Sequence, residues 1–489
     1  TEANVMMRIR MHVAAAVALV LLLSVDAFAQ DRYMRMAREV DRPRVLHEAL
    51  VLPEGTSHQA IVTFRIPNAL LVFVRRDDRF EAEPAVTVAV YRRSRQVAEQ
   101  TWRDRHEAAS FEATQRDTVD VEGRVAFRLE PGRYTYQIRL DDVATGTAGR
   151  LRGTPFVVPE PDERMPAHPF FARLHERADG RLALKPANVG GGVPFGERFP
   201  VVIPVRSVEY AGERVVERVV ERDVERVVER DADLAYRLYR VRSDIDRRDA
   251  GWKEDYERRA GDELIREGRL AIDEAPPYES IDASCLCVDA GGAAAARLVE
   301  VDLHTERLEN GAYLLEVGTA QSASGASTQF VFETVWRDMP LSLYDHEVAI
   351  RNLEFIESRE QIREMLRGSR EERIERFEAY WKARDPSPDT PYNELMTEYY
   401  RRIDAAADRF RTGRTPYPDG LRTDAARVYV VHGPPDDISS SFPSSGGVEQ
   451  VWTYPGGRRF VFRAASSLDA LDLIEERGPT GPPANGEGF

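Results

Sequence analysis

From Ala60 to Val158 apolar and polar positions alternate in short runs, AIVTFRI, LLVFVRR, AVTVAVYRR, GRVAFRLE, RYTYQIRL and TPFVVP, each closed by turn residues. Successive side chains of a strand point to opposite faces, so this period of two predicts half-buried strands. Strands so short and so evenly punctuated predict an antiparallel β-sandwich over 60–158. In GRVAFRLEPGRYTYQIRLDD, Val125, Phe127 and Leu129 share one face before a turn at Pro131–Gly132, and Tyr134, Tyr136, Ile138 and Leu140 line one face of the returning strand. The pattern is immunoglobulin-like (Ig-like), without the cysteine pair of antibody domains. A second β-rich region over 170–338 carries RFPVVIPVRS, LAYRLYRVRS, RLVEVDLHTERLENGAYLLEVG and QFVFETVW, and predicts a second sandwich. Within it, Asn310–Gly311 between two alternating runs predicts a hairpin. The repeat ERVVERVVERDVERVVERD, 213–231, gives mixed signals: its step of four makes a helical valine stripe, yet valine favours strands. It reads as an insertion forming an exposed helix or an extended hairpin.

After Trp336 the apolar period becomes helical. Ser358 with Gln361 and Ser369 with Glu372 are spaced as capping boxes, and Gly368 fits the end of the first helix. Ile374, Phe377 and Trp381 form the stripe of the next helix, which RDPSPDTP breaks. Thr390 followed by Pro391 predicts the start of a longer helix with Met396, Tyr399, Ile403, Ala406 and Phe410 on its apolar face. Three short strands then follow, RVYVVHG, EQVWTYP and RRFVFRA; in the first, Val428, Val430 and His432 share one face and Tyr429 and Val431 the other. The helices and these strands predict a small α+β module over 339–470, followed by a flexible tail, 471–489.

The ends and joints of the chain add compartment and domain boundaries. Arg8, Arg10 and His12 precede the apolar run Val13 to Leu23, and Ala27-Phe28-Ala29 follows, the order of a secretory leader cleaved near Ala29. That run is shorter than the ~20 residues of a membrane span, so the mature form is expected to be extracytoplasmic, periplasmic or secreted, and not membrane-spanning. Residues 30–59 read as a lead-in, and VPEPDERMPAHP, spanning the 159–169 boundary, as an inter-domain linker. Of 489 residues, 68 are Lys or Arg and 83 Asp or Glu, a net charge of -15 that opposes binding to nucleic acid. Cys285 and Cys287 are the only cysteines. Two apart on an extended strand, their Cα atoms would sit near the ~6.8 Å limit for a disulfide, so the plainer reading is two small half-buried strand residues.

ADRFRTG, GLRTDAARVYVVHGPPDDI and EQVWTYPGGRRFVF together resemble the GWxTD-domain family of secreted bacterial proteins. Gly420, Thr423 and Asp424 match its signature, with Leu421 where the family has Trp; Gly433, Pro434, Pro435, Asp436, Trp452 and Tyr454 match its later positions. The helices from about 370 fit as well. The resemblance implies a module identity but no reaction. A looser likeness, in the order strand, Gly-Pro turn, Trp-x-Tyr strand, to small lipoproteins that assist outer-membrane protein assembly points towards binding or scaffolding.

As chemistry, Thr423, Asp424, His432, Asp436 and Asp437 offer a histidine base and carboxylates but no nucleophile at a recognisable elbow. The serines from Ser439 to Ser445 sit in a Ser/Gly stretch expected to be a flexible loop. A metal set from Asp424, His432, Asp436 and Asp437 lacks ligand spacing. One Gly followed by two Pro leaves too few N–H groups for a phosphate loop. No catalytic residue, metal or cofactor is therefore assigned. The leading expectation is a non-enzymatic interaction or scaffold protein of the bacterial cell envelope, with an unidentified envelope protein or glycan as partner. The alternatives are a carbohydrate- or cell-wall-binding protein, for which Trp452, Tyr454 and Trp381 would have to be exposed, and a hydrolase.

Overall fold

The computed structural model describes residues 45–478 except 55–56, 78, 115–119, 143–147, 154, 161–166, 207–213, 222–223, 232–233, 243–255, 257, 260, 271, 273–274, 276, 291–295, 320–326, 412–419, 445 and 467–468. The expected leader, most of the lead-in, half of the expected linker and the end of the tail lie outside the described residues. Among the described residues no helix is long and apolar enough to cross a membrane. The described chain divides into two compact units, 45–337 with Thr390–Tyr392, and 338–389 with 393–478.

The first unit is built of β-sheets. Leu46–Glu54, Ser57–Pro67 and Asp120–Arg128 make one antiparallel sheet, and Ala148–Arg152, Gly132–Asp142, Pro84–Arg92 and Arg95–Arg103, in that order, make another. Val62, Phe64, Val125 and Phe127 of the first meet Val86, Val88, Tyr134, Tyr136 and Ile138 of the second in one core. The faces follow the predicted alternation, but the connection does not. Pro131–Gly132 is not a hairpin turn, because the strands before and after it lie in opposite sheets. Asn310–Gly311 departs from expectation in the same way: Ala296–Val301 and Ala312–Thr319 belong to different sheets. At both corners a tyrosine hydroxyl donates to the carbonyl four residues back, Tyr134 to Glu130 at 2.7 Å and Tyr313 to Glu309 at 2.9 Å. The two corners share the sequence L-E-x-G-x-Y, residues 129–134 and 308–313.

The second β region pairs a closed six-stranded barrel with a five-stranded sheet. In the barrel strands Phe170–Glu176, Val201–Arg206 and Ala296–Val301, residues 170–172, 201–205 and 298–299 are apolar in succession because both faces are covered there. Phe171, Val201, Ile203 and Val205 pack with Leu238, Leu315 and Phe332 of the sheet. On the other face Phe170 and Val202 pack with Leu50, Leu52 and Ile61 of the first region. The two β regions therefore share a core across the expected linker. The valine repeat forms an antiparallel hairpin, Arg214–Glu221 with Val224–Asp231, the extended one of its two anticipated forms. Cys285 and Cys287 are disulfide-bonded, contrary to the plainer expectation. They do not sit on one extended strand: Leu286 between them has φ 53°, and the turn brings their Cα atoms to 5.2 Å.

The second unit contains helices α1 (His346–Arg351), α2 (Arg359–Met365), α3 (Arg370–Lys382), α4 (Glu394–Arg409) and α5 (Asp424–His432), then strands β1 (Asp437–Ser441), β2 (Val448–Thr453), β3 (Arg459–Ala464) and β4 (Asp472–Arg477). Ser358 caps α2, and Ser369 with Glu372 forms a full capping box on α3. The start of α4 differs from expectation. Its cap is Asn393, which accepts from the Met396 amide at 2.8 Å and donates to the Trp381 carbonyl at 2.8 Å, tying α4 to the end of α3. The four strands form an antiparallel meander in chain order. β4 occupies part of the expected tail, and Ser439–Ser441 belong to β1 rather than to a loop.

Candidate functional site

The largest departure from the sequence pattern is α5, where a central strand was expected. Alternation in VYVV could not tell a strand from a helix buried on several sides. Ala425 and Val428 pack against Trp452, Tyr454, Phe460 and Phe462 of the sheet, while Ala426 and Val430, pointing elsewhere, are fully buried too. The end signals decide the matter. The Thr423 hydroxyl oxygen accepts the Ala426 amide at 3.1 Å and donates to the Gly420 carbonyl at 2.8 Å, and Gly433 ends the helix at φ 78°, a conformation open to glycine.

Around this helix each motif residue has a definite contact. Gly420 is buried against the end of α4, where a Cβ would meet the Ala406 and Ala407 carbonyl oxygens at 2.6 Å. The Asp424 carboxylate, at the helix start where the dipole favours an anion, accepts the Leu473 amide of β4 at 2.9 Å. At the other end the Tyr454 hydroxyl donates to the Gly433 carbonyl at 2.9 Å, and burial pushes its pKa well above the usual tyrosine value. His432 lies 5.1 Å from the Phe460 ring and 5.8 Å from that of Tyr454. Partial burial, then the positive charges of Arg458 and Arg402, hold its imidazole below the ordinary histidine value against the pull of Glu476. Pro434 is exposed and Pro435 half-buried; Asp436 is exposed, and its amide donates to the Thr453 carbonyl at 2.9 Å. Leu421 is half-buried.

Residues 311–470 match the family model of the GWxTD domain. This chain carries a GWxTD domain. The match begins about thirty residues before the expected start and takes in Ala312–Thr319 and Ser327–Val335. No curated protein matches the chain. Among solved structures, Escherichia coli alpha-2-macroglobulin activated by porcine elastase aligns at 9% identity over 60% of this chain and 23% of that one, with a TM-score of 0.14. The serine-rich repeat protein Srr2 from Streptococcus agalactiae aligns at 8% identity over 59% and 92%, also at 0.14. At such scores neither likeness bears on the fold or role of the GWxTD domain.

Within the GWxTD domain the motif residues fall into two groups. His432, Gly433 and Tyr454 meet at the end of α5, whereas Thr423 and Asp424 sit at its start, about 12 Å away at 1.5 Å per residue. A His432–Asp424 pair is thereby ruled out. Trp452, Tyr454 and Trp381 are all buried, at 1%, 5% and 2% exposure, so none offers a face for stacking on a sugar. Sequence reasoning missed Asn393, whose residue type, favoured at helix starts, was a capping signal masked by the more familiar Thr-Pro pair. It also passed over Asp302, His304 and Glu306, among the described residues the one group of three whose side chains approach as metal ligands do. Their D-x-H-x-E alternation was the available signal.

Proposed function

We propose that this protein is a non-enzymatic interaction or scaffold protein of the bacterial cell envelope, acting outside the cytoplasm and using its GWxTD domain and β-sandwiches as a binding framework. The observation that carries this reading is the use of the motif: the Thr423 and Tyr454 hydroxyls and one Asp424 carboxylate oxygen are engaged by backbone groups that join α5 to its surroundings. Residues so engaged hold a domain in shape, while a reacting group must be free to meet substrate. The leader-like start of the sequence supports the compartment. The first β region reads as Ig-like, supported by the L-E-x-G-x-Y corner with its tyrosine hydroxyl bond, a feature of that architecture that the barrel-containing second region repeats. The burial of Trp452, Tyr454 and Trp381 removes the aromatic strip that glycan binding through these rings would need. The test is affinity capture from envelope extracts with the mature chain as bait. A protein partner that recovers the chain in the reciprocal capture supports the proposal; no protein partner, together with retention on isolated glycan, overturns it.

A further inference from the structure

We propose that Asp302, His304 and Glu306 form a binding site for a divalent first-row cation of the zinc type. The three residues alternate along the corner that follows the barrel strand Ala296–Val301, and their neighbours point the other way: Val301, Leu303 and Thr305 are 3%, 1% and 0% exposed. Thr305 pins the corner, its hydroxyl donating to the Glu197 carbonyl at 2.7 Å and accepting the Phe199 amide at 2.8 Å. With the inward side chains locked, the outward ones are held together. His304 Nδ1 lies 3.5 Å from Asp302 Oδ2 and 3.5 Å from Glu306 Oε1. For bonds of about 2.0–2.2 Å in tetrahedral geometry, neighbouring donor atoms stand about 3.3–3.6 Å apart, so both His304 spacings suit one ion, and all three donor atoms lie within 4.8 Å of one another.

Two further observations belong to the same place. The other Glu306 oxygen, Oε2, is buried with no hydrogen-bond partner among the described residues. Leaving a carboxylate oxygen so costs free energy that a cation held by both Glu306 oxygens would recover. His304 itself sits in the left-handed region, φ 53° and ψ 54°, a conformation costing a non-glycine residue roughly 1 kcal/mol or more, which here turns its ring between the two acids. The imidazole nitrogen selects against calcium and magnesium, which prefer oxygen alone. The competing cation is Arg198, whose guanidinium bonds Asp302 Oδ2, while Asp302 Oδ1 accepts the His304 amide at 2.9 Å. An ion would have to share or displace Arg198.

The test is calorimetric titration of the untagged full chain with Zn²⁺ alone. The wild type is expected to show one saturable site, lost in His304→Asn, a replacement that tolerates the left-handed backbone. Glu306→Gln is expected to weaken binding at least about tenfold, since even outer-shell changes cost 10–100-fold. Arg198→Gln, by freeing Asp302, is expected to tighten it; a purely structural ion-pair cluster would show no zinc affinity for this change to raise. Far-UV circular dichroism and melting establish that each variant is folded. If wild type and folded His304→Asn and Glu306→Gln titrate alike, or if Ca²⁺ binds as tightly as Zn²⁺, the proposal is wrong.

Discussion

Replacing Gly420 by Ala tests how closely the motif is built into the domain, because steric crowding and chain entropy predict opposite signs. Gly420 lies in a turn of 3₁₀ helix and not among the glycines of positive φ, so its backbone suits alanine. Were there room, alanine would stabilise the fold by ~0.4–1 kcal/mol through the unfolded chain. But the new Cβ would stand 2.6 Å from the carbonyl oxygens of Ala406 and Ala407, both residues buried in α4, and the first of these oxygens already accepts the Phe410 amide. Relief to an ordinary contact needs about 0.8 Å of movement between two backbone segments, an overpacking that costs ~2–3 kcal/mol. The net expectation is a loss of about 2 kcal/mol. Hydrogen exchange of the Trp452 and Val461 amides, inside the sheet covered by α5, reads this unit irrespective of the other. A 2 kcal/mol loss speeds their exchange roughly 30-fold. Exchange unchanged or slower in Gly420→Ala would refute the close approach and the role given to this glycine.

The remaining predictions concern single polar atoms. Tyr454→Phe leaves the buried Gly433 carbonyl without its hydroxyl donor and is expected to cost ~1–2 kcal/mol in the same exchange measurement. Tyr134→Phe and Tyr313→Phe should each destabilise the β unit by ~1 kcal/mol in denaturant titrations, and no change in either would remove the equivalence of the two corners. His432 has a folded pKa below its unfolded value of 6.5, so the unfolded chain takes up more protons as pH falls. Stability of this unit should therefore be fully present above 6.5 and fall as pH drops through that value, with His432→Gln flattening the slope; a slope unchanged in the variant would contradict the assignment.

Much of the β architecture was legible because alternation reports a face directly: Val125, Phe127, Tyr134, Tyr136 and Ile138 all point into the core their pattern predicts. Which sheet a strand joins was not legible, because Pro131–Gly132 and Asn310–Gly311 carry the residues of a tight turn whether the chain doubles back or crosses the core. The capping pairs at Ser358 and Ser369 were readable because a cap is local chemistry. α5 was misread because β-branched content was weighed above its ends, although Thr423 and Gly433 were both noticed. The contacts of the motif were out of reach for another reason. Gly420 approaches the Ala406 carbonyl, Asp424 accepts the Leu473 amide and Tyr454 donates to the Gly433 carbonyl, and a backbone group met by a residue distant in the chain leaves no mark on a sequence.

The most direct test of the central claim, that the motif serves the fold and not a reaction or a contact of its own, is to measure stability and partner retention together in Thr423→Ala and Asp424→Ala. Each substitution is expected to lower the stability of its unit, by ~1 kcal/mol for loss of the α5 cap and by a similar amount for loss of the acceptor at Leu473. Each folded variant should still retain the partner captured by the wild type. Unchanged stability with the partner lost would contradict it, and would place the function on these side chains themselves.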